Sequence, residues 1–226
     1  MPFDGPDAKD GSIVAVTESL GVLYNDKIIG SYSDVEEGSE IVEKIYNTVK
    51  DDVDNFGKPI IFLFDEMLPM SVVYRTMYSF GATSRKILIG GTTSTGITTL
   101  VIGPCAWPDY GMTTFGDACK SVTVDISINR RDIIMRRIKG EESLLNAEEG
   151  SENVLELTDD IIGNKVQLQN ISPALSTLRQ SSQRDVRISP HGEVTFGVFM
   201  NTVLEVRGNI DNPNTKKIYL HKIPLR

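Results

Sequence analysis

The chain has 226 residues, 40% hydrophobic and 24% charged, with a formal net charge of −8. At about 150 residues per domain this allows one large or two small domains, with ordinary globular composition rather than that of a disordered chain. The acidic balance argues against a nucleic-acid binder, which needs a concentrated basic surface. No run approaches the ~18 apolar residues of a membrane span, and the polar start MPFDGPDAKDGS does not read as a signal peptide. The expectation is a soluble chain, or the soluble part of a longer one.

Residues 1–11 read as a flexible leader. Ser12 to Thr17 alternates as a strand, and Gly21 to Tyr24, Asn25-Asp26 and Lys27 to Ile29 read as a hairpin. Between 38 and 56, Ile41, Ile45 and Val49, with Val42, Tyr46 and Val53 beside them, mark an amphipathic helix whose other face is Glu and Lys. Gly57 and Pro59 end it. Ile60 to Phe64 has the length of a buried strand, and Asp65-Glu66 closes it. Pro69 suits the first helical position, where its missing N–H would have no partner anyway. Val73, Met77 and Phe80 fall on one helical face, and Gly81 is expected to stop the helix in the left-handed conformation. Lys86 to Ile89 returns as a strand, through a right-handed crossover if the strands are parallel. Residues 12–91 thus read as a β-β-α-β-α-β module with its helices on one side of a small mixed sheet.

Residues 92–140 read as a β-rich connector. Gly91, Gly96 and Thr98 nearly spell a phosphate-binding loop, but Ile97 stands where Lys is needed. The β-branched residues that follow predict a strand rather than a helix donating its N-terminal amides. A turn between two strands is the better reading. Cys105 and Cys119 flank a Pro- and Gly-rich loop with the only Trp. A Cys105–Cys119 disulfide is the expected reading over two buried thiols; it would stabilise the loop by on the order of 3 kcal/mol and imply an oxidising compartment. Val122 to Ile128 is a clean alternating strand, followed by a turn at Asn129 to Asp132 and a second strand at Ile133 to Ile138. Residues 140–153 form an acidic loop.

The second module, 141–226, repeats the grammar of the first. Val154 to Leu157 and Val166 to Leu168 flank a Gly163-Asn164 turn, and Ser172-Pro173 starts a helix running to about Gln180. A strand at Val186, a helix from Thr195 and a strand from Lys217 to His221 follow. Laying Val194 on Leu68 (194 − 68 = 126) brings Gly197 to Ser71, Val198 to Val72, Met200 to Tyr74, Thr202 to Thr76 and Val203 to Met77. One inserted residue later Gly208 meets Gly81; upstream, Val186 and Ile188 fall on Ile60 and Phe62. Turn, helix and closing glycine agree along with the hydrophobic positions, which predicts an internal repeat.

Motifs for chemistry are weak. No Gly-x-Ser-x-Gly elbow accompanies the two histidines, His191 in a Ser-Pro-His-Gly turn and His221 in the last strand. Asp65 and Glu66 are adjacent at a strand end, where a solvated turn is the simpler reading than an acid–base pair. Asp52, Asp54 and Gly57 fail as a calcium loop, because Phe56 takes a ligand position and Leu63 the place of the closing Glu. Asn170-Ile-Ser is a formal glycosylation sequon that arises readily by chance. The sequence therefore offers no catalytic, cofactor-binding or metal-ligating residues.

The order of elements resembles the periplasmic domain of the ExbD/TolR family of energy-transducing stator subunits. The residues that carry this are Val16 to Lys27 for the first strand and hairpin, and Ile60 to Asp65 for the strand ending in Asp. Pro69, Ser71, Val72, Val73, Met77 and Gly81 match the following turn and helix, and Lys86 to Ile89 the closing strand. In the second copy, Val154 to Lys165, Val194 to Val198 and Gly208 fit, while His191 departs from the family's Asp. The resemblance covers about two thirds of the chain. It implies a non-enzymatic subunit of a proton-motive-force-driven transport or motility complex, tethered by an N-terminal membrane helix that is not in this sequence. It also implies an ExbB/TolQ-like channel partner, a periplasmic location, and binding to peptidoglycan or a TonB/TolA-like protein. The family dimerises, so two copies in one chain suggest an internal pseudo-dimer, with a homodimer as the other arrangement. The expectation is an α+β protein of two such modules. The alternatives are a free-standing periplasmic interaction protein and, less favoured, an enzyme with a site between the modules.

Overall fold

The structure, a computed structural model, describes residues 11–37, 43–44, 47–48, 50–52, 58–80, 87–93, 96–100, 103–105, 122–130, 132–137, 155–162, 165–167, 185–208 and 218–221. The chain is an α+β protein that divides into two compact units, Met1–Ile102 and Gly103–Arg226. Each has its own sheet.

In the first unit the strands are β1 (Ser12–Thr17), β2 (Gly21–Tyr24), β3 (Lys27–Gly30), β4 (Ile60–Phe64), β5 (Ile87–Thr93) and β6 (Gly96–Leu100), in spatial order β3-β2-β1-β4-β5-β6. β1, β4 and β5 are parallel; the hairpins at both ends are antiparallel. The turn between β2 and β3 works as its sequence predicts. Asn25 and Asp26 both take positive φ (46° and 67°), which short polar side chains tolerate and a primed hairpin turn requires. Asn25 also donates its N–H to the Ile13 carbonyl at 2.9 Å and accepts the Ile13 N–H on Oδ1 at 2.9 Å, tying the turn to β1. The near-phosphate-loop sequence is an ordinary hairpin, with Thr93 opposite Gly96.

Two described helices belong to this unit, α1 (Tyr32–Glu37) and α2 (Met70–Phe80). At the start of α1, Asp34 Oδ2 accepts the Ser31 N–H at 2.7 Å and Ser31 Oγ accepts the Asp34 N–H at 3.3 Å, a reciprocal cap. Those bonds from Ser31 hold the Asp34 carboxyl below its ordinary range. Of the helix expected over 38–56, residues 43, 44, 47, 48 and 50 are helical, and Glu43, Lys44 and Lys50 lie exposed, as its polar face should. The apolar positions lie outside the described residues. Core packing comes from Val14, Val16, Val22, Ile60 and Phe62 on one sheet face and Met70, Val73 and Met77 on α2, all buried. Phe62 and Phe64 stack with ring centroids 5.7 Å apart.

The second unit contains β7 (Gly103–Cys105), β8 (Val122–Ile128), β9 (Asp132–Arg137), β10 (Leu155–Ile162), β11 (Lys165–Gln167), β12 (Asp185–Pro190), α3 (Phe196–Gly208) and β13 (Ile218–His221). Their order is β11-β10-β9-β8-β12-β13-β7. β8, β12, β13 and β7 are parallel, and β8 to β11 form an antiparallel meander. Two expectations need correction. Residues 92–140 are not a separate connector: β5 and β6 close the first sheet, while β8 and β9 lie inside the second. The partner of β12 that corresponds to β1 is β8, not the Val154 hairpin, which forms the outer strands β10 and β11. Hydrophobic alternation finds strands, but the parallel neighbour of β12 lies far away in sequence and leaves no local signature.

Candidate binding site at the strand–helix turns

Both units build the same turn where the central parallel strand ends. In the first, Asp65 donates its N–H to the Val16 carbonyl (3.1 Å), and Leu68 donates to the Asp65 carbonyl (3.1 Å). In the second, His191 donates to Ile128 O (2.8 Å) and Val194 to His191 O (3.0 Å). Leu68 and Val194, the aligned pair, are each buried under the turn. Pro69 is the N-cap residue of α2: its carbonyl accepts the Val73 N–H at 3.3 Å, so it stands one place before the first helical residue, Met70, rather than at the first helical position expected of it. Thr195 does the same for α3 through its carbonyl (Phe199 N–H, 3.2 Å) and adds its hydroxyl to the Val198 N–H at 3.4 Å. One turn further on, buried Thr76 and Thr202 each donate a hydroxyl to a carbonyl four residues back, Val72 and Val198, at 2.9 Å. The repeat is therefore one of atoms, not only of hydropathy. Gly208 is the last residue of α3 and keeps a negative φ, so it ends the helix without the left-handed turn expected; Gly81 lies outside the described residues.

The side chains at the two turns differ. In the first unit Asp65 Oδ1 accepts the Met67 N–H at 3.1 Å, and Thr17 Oγ1 accepts the Leu20 N–H at 3.0 Å in the neighbouring β1–β2 loop. Each bond closes its own loop, and the Asp65 N–H to Val16 carbonyl bond holds the two at the ends of adjacent strands. Leu20 and Met67 are both 55% exposed, and Glu18 and Glu66 are exposed on the same two loops. In the second unit the same loops are joined by an ion pair between Arg130 and Glu193. The Glu193 N–H donates to His191 Nδ1 at 3.3 Å. The Glu193 carboxylate lies 3.9 Å from the same nitrogen. Asn129 Nδ2 donates to Asp132 Oδ1 at 2.7 Å. Asn129, Arg130, Asp132 and His191 line an open groove of about 490 Å³.

A second polar cluster lies on the sheet itself. Asp125 of β8, 5% exposed, accepts Arg187 Nε (2.8 Å) and Ser189 Oγ (3.1 Å) on Oδ1, and Ser127 Oγ (3.3 Å) on Oδ2. Strand pairing puts Ile13, Ala15, Ile61 and Leu63 at the corresponding places of the first unit. Where one sheet uses aliphatic packing, the other uses a buried ion pair. Its carboxylate is satisfied on both oxygens, as a buried charge requires.

The remaining candidates from the sequence separate. Asp52 accepts the Tyr24 hydroxyl. Cys105 on β7 lies opposite His221 on β13 in the strand register. Cys119, Asp54 and Asn170 lie outside the described residues. Among the described residues no group of three or more His, Cys, Asp or Glu could hold a metal ion, and no helix is long and apolar enough to cross a membrane. Sequence reasoning did not identify Thr195 as a cap, although a Thr before an apolar helix is a recognised start signal. The Arg130–Glu193 contact had no sequence signal, because it joins loops brought together only by parallel pairing of β8 with β12. No protein family, curated protein or solved structure matches this chain.

Proposed function

We propose that the chain is a non-enzymatic binding protein made of two ExbD/TolR-like modules, working in the periplasm as part of a proton-motive-force-driven transport or motility complex. Its ligand is peptidoglycan or a protein partner of the TonB/TolA kind, and its membrane partner is a channel subunit of the ExbB/TolQ kind. The observation that supports this reading best is the recurrence of one strand–turn–helix frame with matched hydrogen bonds, Asp65 to Leu68 and His191 to Val194. That frame carries the strand ending in Asp, the turn and the helix on which the resemblance rests. A protein ligand has a second support in β3, the outermost strand of the first sheet, with Lys27 exposed and Ile28 67% exposed. An outer strand offers its backbone to an incoming strand.

Co-sedimentation with purified peptidoglycan, run beside free-thiol titration of the same sample, tests the assignment. Retention with no free thiol supports the cell-wall ligand and the oxidising compartment. Two free thiols and no retention remove both. If a protein partner is then captured through β3, Ile28→Lys should release it while leaving thermal unfolding unchanged.

A further inference from the structure

The two copies of the turn have diverged in one respect that bears on a partner. The β1–β2 loop and the β4–α2 turn of the first unit meet at the ends of adjacent parallel strands, joined by the Asp65 to Val16 hydrogen bond of 3.1 Å. In the second unit the equivalent loops lie close enough for Arg130 and Glu193 to form an ion pair across them. Neither of the two loops in the first unit carries a cation of its own: they read Glu18-Ser19-Leu20 and Asp65-Glu66-Met67. Leu20 and Met67 account for two of the three large apolar side chains exposed among the described residues. Large apolar side chains exposed on two neighbouring loops are a feature of docking surfaces rather than of inert ones. Met is also the residue best able to adapt to a varied apolar partner. The charged residues of the two loops are all acidic, namely the exposed Glu18 and Glu66 and the half-buried Asp65.

We propose that this end of the first unit docks a protein segment in which Lys or Arg alternates with apolar side chains. Leu20 and Met67 supply the apolar contact, and Glu18 and Glu66 draw in and orient the cations. The second unit does not share this role, because Arg130 and Glu193 neutralise each other across the same loops. The inference rests on the reading of the chain as a binding protein, but not on peptidoglycan as its ligand, so the sedimentation result above leaves it standing or falling on its own.

The test uses the full chain and a fluorescein-labelled peptide of alternating Lys and Leu, with a Glu–Leu peptide as control, read by anisotropy and by amide chemical shifts. The Lys–Leu peptide should bind saturably, less tightly as salt is raised, and shift the amides of Leu20 and Met67 rather than those of Arg130 and Glu193. Leu20→Ser with Met67→Ser, which keeps the negative charge, should weaken binding about tenfold or more. Glu18→Lys with Glu66→Lys should reverse the preference between the two peptides. All four positions are exposed, so circular dichroism and thermal unfolding should match the parent protein. Equal binding by the serine variant, shifts centred on the second unit, or no saturable binding would each overturn the proposal.

Discussion

Asp125 is the only buried charged residue among those described. Its carboxylate is 5% exposed and depends on Arg187 for charge compensation. Arg187→Met alone leaves that charge buried without its cation and should cost about 3–5 kcal/mol in urea unfolding. The first unit indicates the remedy, since Ile13 and Ile61 occupy the same paired places. Asp125→Ile with Arg187→Ile, together with Ser127→Ala and Ser189→Ala so that the hydroxyls bonded to Asp125 go with it, should therefore recover most of the loss, the signature of a pair whose value is registry rather than stability. Tyr74 provides a different test. Burial pushes its phenol well above the ordinary value of 10.0. The unfolded chain then loses this proton first, so it binds fewer protons than the native state once pH exceeds about 10. The resulting stability is fully present below about pH 10 and falls as pH climbs from there toward the raised folded value. Tyr74→Phe should flatten that alkaline decline in unfolding free energy measured against pH. At this scale the sequence was only partly legible. Asp65 and His191 were visible as the matching strand-end positions of the two copies, and the structure gives them equivalent backbone hydrogen bonds in the two turns. That Arg130 meets Glu193 while Leu20 and Met67 lie exposed depends on which strands pair, which no single residue announces.

Elements with strong local chemistry were the most readable. The β2–β3 hairpin follows from Asn25-Asp26, and the β5–β6 hairpin from a turn sequence bounded by β-branched residues. Gly21 at the head of β2 carries information that hydropathy does not. Its φ is +80°, and a Cβ built there would lie 2.3 Å from the Gly30 carbonyl oxygen. Backbone, not a movable side chain, fills the space. Gly21→Ala should therefore cost about 2 kcal/mol or more, the left-handed penalty plus displacement of β3. The mutant should show this as a lower urea midpoint with an unchanged slope. The helices α2 and α3 illustrate the opposite limit. Apolar spacing located both, but the capping atoms differ, a proline carbonyl in one and a threonine hydroxyl with its carbonyl in the other. The same start has been reached with different side chains, so residue identity alone understates the likeness.

At the scale of the whole chain, the duplication was legible from the aligned helices, whereas the division between units was not. Hydropathy places the second module after the acidic loop; strand pairing begins it at Gly103, because β8 is hydrogen-bonded to β12 and carries Asp125 to an Arg187 that is 62 residues away. A strand whose partner is so distant cannot be assigned to a module from its own seven residues. The sheet ladders have a consequence for cooperativity, since the strands β1 to β6 pair among themselves and β7 to β13 among themselves. Each ladder should open as its own unit in native-state hydrogen exchange. Phe199 is fully buried on α3, at the place Val73 takes on α2. Phe199→Ala removes that ring and should cost about 3–5 kcal/mol in the second unit. Amides of Val186, Ile188 and Ile126 should then exchange faster by the matching factor, while those of Val14, Ile61 and Phe62 keep their rates. Uniform acceleration across both sheets would mean that the chain opens as one body, and that the repeat is a duplication of structure without a duplication of folding units.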